Sequence, residues 1–189
     1  AYMEGDRIVL VCSTQIPHIM RRIVGQALGI PWGRVRVIKP YIGGGFGNKQ
    51  DILYEPLNAY LSMVLGGRKV KLELTREETF MCTRSRHAMD IKLKTGVDKD
   101  GRMVSRYVQM ISSQGAYASH GHTVVANSLN NFTQIYSESG GFFGEAYTVY
   151  SNLGTSGAMR AYGVPQTAFA AEAHMENIAE KMGFDPIEF

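Results

Sequence analysis

The sequence predicts an α+β fold in which helices pack against a mixed β-sheet. Short β-branched runs at residues 8–12 and 34–38 are typical of strands. Apolar residues recur three and four positions apart near the carboxyl end, which predicts an amphipathic helix. The chain has 189 residues, 44% of them hydrophobic, and is long enough to bury one sizeable core. We therefore expect a single domain at residues 1–189.

The first helix is expected directly after the strand at residues 8–12. Thr14 is a candidate N-cap, Pro17 suits the first turn, and Gly29 is a stop signal. One face of this helix would carry the apolar positions Ile16, Ile19, Ile23 and Ala27.

The second helix is expected to begin at Pro56, because proline is tolerated in a first turn and disruptive deeper inside. Gly66 and Gly67 would end it. Residues 70–74 alternate apolar and charged side chains, which predicts a strand with one face exposed to solvent. Thr75 and Glu78 form a capping-box pattern for a short helix after it.

The second half of the chain begins with a predicted hairpin. Alternating residues at 89–94 and a returning segment at 104–111 flank a turn at residues 98–101. Residues 114–150 are rich in Gly, Ser, Asn and Tyr without clear periodicity, so we expect irregular binding loops there. A closing helix that stops at Gly183 is predicted by five apolar positions: Ala168, Ala171, Met175, Ile178 and Met182.

Composition excludes several classes of protein. The net charge of +3 is spread along the chain and not gathered in a basic stripe, which argues against nucleic-acid binding. No apolar stretch approaches the ~18 residues of a membrane span. Cys12 and Cys82 are few and far apart, which favours a reducing cytoplasm over a disulfide framework. The chain starts just before a strand and ends after a helix, so we expect it to be a piece of a longer polypeptide.

The glycine-rich segment at residues 41–50 is the most informative local feature. Four glycines around one phenylalanine leave backbone amides open to an anion at a strand-to-helix turn. Two familiar phosphate loops fail the test: Asn48 separates Gly47 from Lys49 where a Walker loop needs Gly-Lys, and the dinucleotide pattern breaks at Asn48. A glycine-rich surface turn without any ligand remains the alternative.

Three segments in order resemble the xanthine dehydrogenase and aldehyde oxidase family of molybdenum hydroxylases. They are Ser13-Thr14-Gln15, the Gly-Gly-Gly-Phe-Gly run at residues 43–47, and Gly-Ala-Met-Arg-Ala-Tyr-Gly-Val-Pro-Gln at residues 157–166. The resemblance extends over nearly the whole chain and is strongest to bacterial xanthine dehydrogenase large subunits. It implies the first molybdopterin-binding domain of such a subunit.

The resemblance also implies roles for individual residues. Gln15 would hydrogen-bond an oxygen of the molybdenum centre, and the Phe46–Gly47 peptide would approach an oxo ligand while the Phe46 ring packs in the core. Gln15 and Phe46 would thus contact ligands of the metal and not the metal itself. Lys49 is a candidate for the pterin phosphate. The full set of expected cofactor-binding residues is Gln15, Gly44, Gly45, Phe46 and Gly47.

Arg160 and Gln50 are the expected catalytic residues. In purine-oxidising relatives the matching arginine faces the substrate ring and stabilises its developing negative charge. Gln50 stands where many xanthine oxidisers have a glutamate, so a purine or another N-heteroaromatic fits the pocket better than xanthine in particular. Neither a cysteine nor a carboxylate cluster accompanies His120 and His122, as a metal site would require, so both are expected in a polar loop.

The resemblance implies molybdenum-molybdopterin as cofactor, in its plain or cytosine dinucleotide form, and a small N-heterocyclic substrate hydroxylated at a carbon next to nitrogen. Expected partners are a second molybdopterin-binding domain and domains or subunits that carry iron-sulfur clusters and FAD. The general-base glutamate of the family matches no residue here, so the chain alone is expected to be inactive. Two alternatives remain open: a non-catalytic binding or assembly module, and an aldehyde-oxidising member of the family.

Overall fold

The computed structural model describes residues 1–189, which form two compact units at residues 1–84 and 85–189. Each unit contains a three-stranded sheet with one antiparallel and one parallel pair. The predicted combination of mixed sheet and helices is confirmed, with two small sheets where the sequence pattern suggested one.

The first unit packs helices against the sheet β1-β2-β3. Its elements are β1 (Tyr2–Glu4), β2 (Arg7–Val11), α1 (Pro17–Leu28), β3 (Val35–Ile38), α2 (Glu55–Val64) and α3 (Arg76–Cys82). Short 3-10 turns lie at Trp32–Arg34 and Asn48–Gln50. Strands β1 and β2 pair antiparallel, and β2 and β3 pair parallel. The core consists of Ile8, Leu10, Met20, Val24, Val35 and Ala59.

The second unit is built on the sheet β4-β5-β6. Its elements are β4 (Ala88–Val97), β5 (Met103–Ser113), α4 (Gly121–Asn131), β6 (Gly141–Val149) and α5 (Val164–Met182). The predicted hairpin is the antiparallel pair of β4 and β5, and β6 lies parallel to β5. The closing helix is confirmed as α5, which ends at Gly183 with a left-handed φ of 76°.

The expectation of an irregular segment at residues 114–150 was wrong, because α4 and β6 lie within it. The buried face of α4 includes Gly121 and Ser128 beside Val124 and Val125, so small and polar residues conceal its helical period. In β6 the large apolar Phe143 faces outward and is 61% exposed. An apolar residue on the exposed face removes the alternation that identifies a strand.

The predicted strand at residues 70–74 was also wrong, since no strand forms there. Val70 exchanges two backbone hydrogen bonds with Ala1, at 2.9 Å and 2.8 Å. Met3 N–H of β1 donates to Gly67 O at 3.1 Å, but residues 71–74 pair with no strand of either sheet. Alternation alone does not make a strand when no neighbouring strand is available.

Helix α1 corrects two further expectations. The Thr14 hydroxyl accepts a hydrogen bond from Ile16 N–H at 3.0 Å, two residues on, and the helix begins at Pro17 without a side-chain cap. The buried face is formed by Met20 and Val24, whereas Ile19 of the predicted face is 44% exposed. The Thr75–Glu78 capping box of α3 is confirmed in both directions.

Candidate functional site

Gln15 and the glycine loop meet at one edge of the first sheet. The parallel strands β2 and β3 end at the same edge, and parallel pairing brings the loops after them together. Gln15 lies between β2 and α1, and residues 39–47 lie between β3 and the 3-10 turn at Asn48–Gln50.

Hydrogen bonds fix Gln15 against this loop. Gln15 Oε1 accepts from Gly47 N–H at 3.0 Å, and Gln15 N–H donates to Lys49 O at 2.8 Å. Because Gly47 offers a donor, the amide must present its oxygen to the loop, which leaves the Gln15 NH₂ group directed elsewhere as a donor. The Gly47 amide is therefore used inside the chain, and Gln15 supplies a donor in its place.

The loop needs glycine at two positions of its backbone. Gly44 has a φ of 142° and Gly47 a φ of 94°, both in regions that side chains rarely adopt. The amides of Gly43, Gly44 and Gly45 donate to no atom of the chain, as the glycine run predicts.

The Phe46 ring lies on the surface over Gly44. Phe46 is 61% exposed, and a Cβ added to Gly44 would come within 2.6 Å of Phe46 Cε2. The expectation that the ring packs in the core was wrong.

Gly45 is required for a different reason, which is space. A Cβ placed on Gly45 would overlap the Gln15 amide and would come within 2.7 Å of Gln15 Cγ. Gly43, two residues earlier, has nothing within 4 Å of such an atom. The close approach of Gln15 to the loop therefore depends on Gly45 in particular.

The far end of the loop is anchored by an ion pair that sequence inspection missed. Asp51 Oδ2 lies 3.1 Å from Arg84 Nε, and both side chains are largely buried. Gln50 is half-buried, and its N–H donates to Gly47 O at 3.0 Å in the 3-10 turn. Asp51 and Arg84 are 33 residues apart, so only the folded chain reveals their pairing.

Arg160 lies in the second unit, on a tight turn before α5. Residues 155–158 are buried, whereas Arg160 itself is exposed. Ala161, Tyr162 and Gly163 all have positive φ, at 66°, 50° and 101°. The guanidinium thus leaves a compact backbone, as the neighbouring small residues predict. Because Arg160 and Gln15 belong to different units, their sharing one site stays a prediction.

A buried histidine, His87, contacts the first turn of α5, which follows this turn directly. His87 is 3% exposed, its Nε2 has no hydrogen-bond partner, and its backbone oxygen accepts from Gln166 Nε2 at 3.0 Å. Burial lowers the pKa of His87, with a smaller contribution from His120. Burial therefore favours the neutral form of His87 in the folded chain.

The lowered pKa of His87 predicts that acid destabilises the second unit. The unfolded chain takes up a proton as the pH falls through about 6.5, while folded His87 resists it, so stability is lost on acidification. We expect thermal unfolding of wild type to shift downward between pH 7.5 and pH 5.5, and His87→Leu to reduce that shift. His18→Leu, which alters an exposed imidazole, is the control and should leave the shift unchanged. An equal shift in His87→Leu and wild type would contradict this prediction.

The Cys12 thiol is a poor candidate for other chemistry. Burial raises the pKa of the Cys12 thiol to about 11, and its Sγ donates to Met20 Sδ at 3.2 Å, so Cys12 is no nucleophile near neutral pH. No group of three or more His, Cys, Asp or Glu side chains could hold a metal ion. No helix is both long and apolar enough to cross a membrane.

The donors at the edge of the first sheet fit a cofactor that presents oxygen atoms. The loop offers backbone N–H groups, and Gln15 offers an uncharged NH₂ group held in place by Gly47. Such a set binds phosphate or metal-oxygen groups without ligating a metal directly. The residues therefore fit a ligand with anionic or oxygen-bearing groups and would not ligate a metal themselves.

Comparison with known proteins agrees with this chemistry. The sequence matches the family described as molybdopterin cofactor-binding domain over residues 1–189. It is 49% identical to the xanthine dehydrogenase molybdenum-binding subunit of Escherichia coli O157:H7 over 189 residues, which is 100% of this chain and 25% of that subunit. It is 36% identical to the nicotinate dehydrogenase large molybdopterin subunit of Eubacterium barkeri, covering 99% of this chain and 44% of that one.

A solved structure has the same fold. The aldehyde oxidoreductase of Desulfovibrio gigas aligns with a TM-score of 0.91 at 26% identity, covering 99% of this chain and 20% of that chain. The chain thus spans a quarter to less than half of the curated relatives described above.

Proposed function

This chain belongs to the molybdopterin cofactor-binding domain family, and from that premise we propose that residues 1–189 form the cofactor and substrate region of a molybdenum hydroxylase. The enzyme hydroxylates a purine or another N-heteroaromatic at a carbon next to nitrogen. The proposal depends on the hydrogen bond between Gln15 and Gly47. This bond holds the Gln15 amide beside the glycine-rich loop, so that the Gln15 NH₂ group and the loop amides form one set of fixed donors.

The roles of the first unit follow from that set. When bound, the molybdenum-molybdopterin cofactor supplies the two-electron oxidation that no protein side chain supplies. Gln15 donates its NH₂ group to an oxygen of the cofactor, and the amides of Gly44 and Gly45 donate to its anionic groups. Phe46 covers the loop beside them, and Lys49 adds positive charge for the phosphate.

The role of Arg160 rests on its chemistry and on its place. An arginine stays protonated, and its planar fork can donate two hydrogen bonds to a ring on which negative charge develops. Gln50 keeps a hydrogen-bonding group without a charge, which suits a neutral edge of a heterocycle. The names of the relatives, xanthine dehydrogenase and nicotinate dehydrogenase, both refer to N-heteroaromatic compounds.

The chain would act as part of a longer cytoplasmic subunit. Its length relative to its relatives leaves room for a second molybdopterin-binding domain, and iron-sulfur and FAD domains or subunits would remove the electrons. The general-base glutamate would come from outside residues 1–189. The cytosine dinucleotide form of the cofactor stays an alternative to the plain pterin.

Aldehyde oxidation is the second candidate, favoured by the fold shared with the Desulfovibrio gigas enzyme. Arg160 and Gln50 argue against it, because polar groups that suit a heterocycle are left unpaired beside an apolar substrate.

Metal and pterin analysis of the intact enzyme tests the proposal against a non-catalytic module. We expect about one molybdenum and one pterin per purified subunit. A subunit that is free of molybdenum and pterin after purification, yet fully competent in a binding assay, would favour the module.

A further inference from the structure

The turn that carries Arg160 is left-handed at two residues that have side chains. Ala161 has a φ of 66° and Tyr162 a φ of 50°, directly before Gly163. Side chains in this region crowd the backbone, so residues other than glycine rarely adopt it. Such a turn persists only where the surrounding structure holds it.

Two side chains hold carbonyl oxygens at opposite ends of this turn. Arg86 Nη2 donates to Arg160 O at 3.0 Å, and Asn127 Nδ2 donates to Tyr162 O at 3.0 Å. Arg86 immediately precedes the buried His87 and strand β4, while Asn127 lies in the middle of α4. The turn is therefore tied to two separate elements of the second unit.

Gln166, in the first turn of α5, keeps Arg86 in place. Its Oε1 accepts from Arg86 Nη1 at 3.4 Å, and its Nε2 donates to His87 O at 3.0 Å. The guanidinium fork thus meets two acceptors at once, Gln166 Oε1 and Arg160 O. A lysine has no such fork and could serve only one of them well.

Close packing restricts the other side of the turn. A Cβ on Gly163 would overlap Ser128 Oγ and come within 2.9 Å of Val124 O, both on α4. A side chain at position 163 would therefore clash with α4, so the residue after Tyr162 must be glycine.

We propose that Arg86 and Asn127 are positioning residues for Arg160. They hold the left-handed turn in one conformation, so that the exposed guanidinium starts from a fixed backbone and meets the substrate ring in one direction. An arginine side chain already has many rotamers, and a mobile turn would add backbone freedom to that. This proposal rests on the proposed role of Arg160 in substrate oxidation.

The kinetic test uses Arg86→Met and Asn127→Ala in the intact enzyme, with Arg102→Met as a matched control at an exposed arginine of the β4–β5 turn. We expect kcat for a heteroaromatic substrate to fall tenfold or more with KM changed less than threefold. The kcat of Arg86→Lys should lie between the values for wild type and Arg86→Met. The control variant Arg102→Met should have the kcat of wild type.

A second readout does not depend on the cofactor. Tyr162 N–H donates to Met159 O and Val164 N–H donates to Ala161 O, so both amides report whether the turn stays formed. Hydrogen exchange at these two amides should be at least tenfold faster in Arg86→Met than in wild type. If Arg86→Met does not fold, Arg86→Lys serves for the same comparison.

The double variant Arg86→Met/Arg160→Met separates positioning from general structural damage. If Arg86 acts through Arg160, the double variant should turn over the heterocycle no more slowly than Arg160→Met alone. Multiplied losses, or unchanged exchange in both Arg86 variants, would overturn the positioning proposal. An active Arg160→Met would instead reject the role of Arg160, and the exchange data would still test whether Arg86 holds the turn.

Discussion

Arg160→Met in the intact enzyme is expected to raise the barrier for heterocycle oxidation by about 2–4 kcal/mol, the scale for losing one fixed donor. That corresponds to a loss of roughly 30- to 1000-fold in kcat. Attack at a ring carbon pushes electron density into the ring, so in its proposed role the guanidinium would stabilise the transition state more than the bound substrate. Steady-state kinetics on a heteroaromatic and on an aldehyde should show the larger loss for the heteroaromatic.

Two further variants, one conservative and one a control, test whether the loss is specific to the Arg160 guanidinium. Arg160→Lys should recover only part of the rate, because it keeps the charge and loses the planar fork. Arg102→Met, at an exposed arginine outside the proposed site, should keep the wild-type rate. Unchanged heterocycle turnover in a folded Arg160→Met enzyme would make Arg160 a scaffold residue and remove the main support for the substrate class.

Gly45→Ala is expected to weaken cofactor retention by tenfold or more, the scale seen when a group that orients a metal site is lost. The new methyl group would displace the Gln15 amide and break its hydrogen bond with Gly47. Overpacking of this kind also costs about 1–3 kcal/mol of stability. Molybdenum and pterin content of the purified enzyme, measured before and after extended dialysis, reports the loss.

Gly43→Ala is the matched control for this change. It adds the same methyl group to the same loop, where nothing lies within 4 Å and φ is not positive. The control should retain molybdenum and pterin as wild type does. Equal retention by both variants would show that the Gln15 contact does not hold the cofactor.

Local patterns were enough to predict much of the fold. The β4–β5 hairpin, α5 and the α3 capping box each depend on residues close in sequence, and all three form as expected. The hydrophobic pattern did not predict helix α4, because glycine and serine occupy part of its buried face. The segment at residues 70–74 shows the opposite case, in which a strand pattern finds no partner strand.

The candidate site shows the same limit. Motif order pointed to Gln15 and the glycine loop, but the bond between them spans 32 residues and depends on the parallel pairing of β2 and β3. The contact of Arg86 with the Arg160 carbonyl spans 74 residues and leaves no local signal. Long-range contacts of this kind become visible only when the strands and helices that carry them are placed.

Substrate preference of the intact enzyme gives the most direct test of the proposed function. Initial rates should be measured on a panel of purines, nicotinate and simple aldehydes, with molybdenum content used to correct for empty enzyme. We predict that kcat/KM for at least one N-heteroaromatic exceeds that of every aldehyde by tenfold or more, and that Arg160→Met removes this preference. Faster oxidation of aldehydes than of any heterocycle by the molybdenum-loaded enzyme would contradict the proposed roles of Arg160 and Gln50 in binding a heteroaromatic substrate.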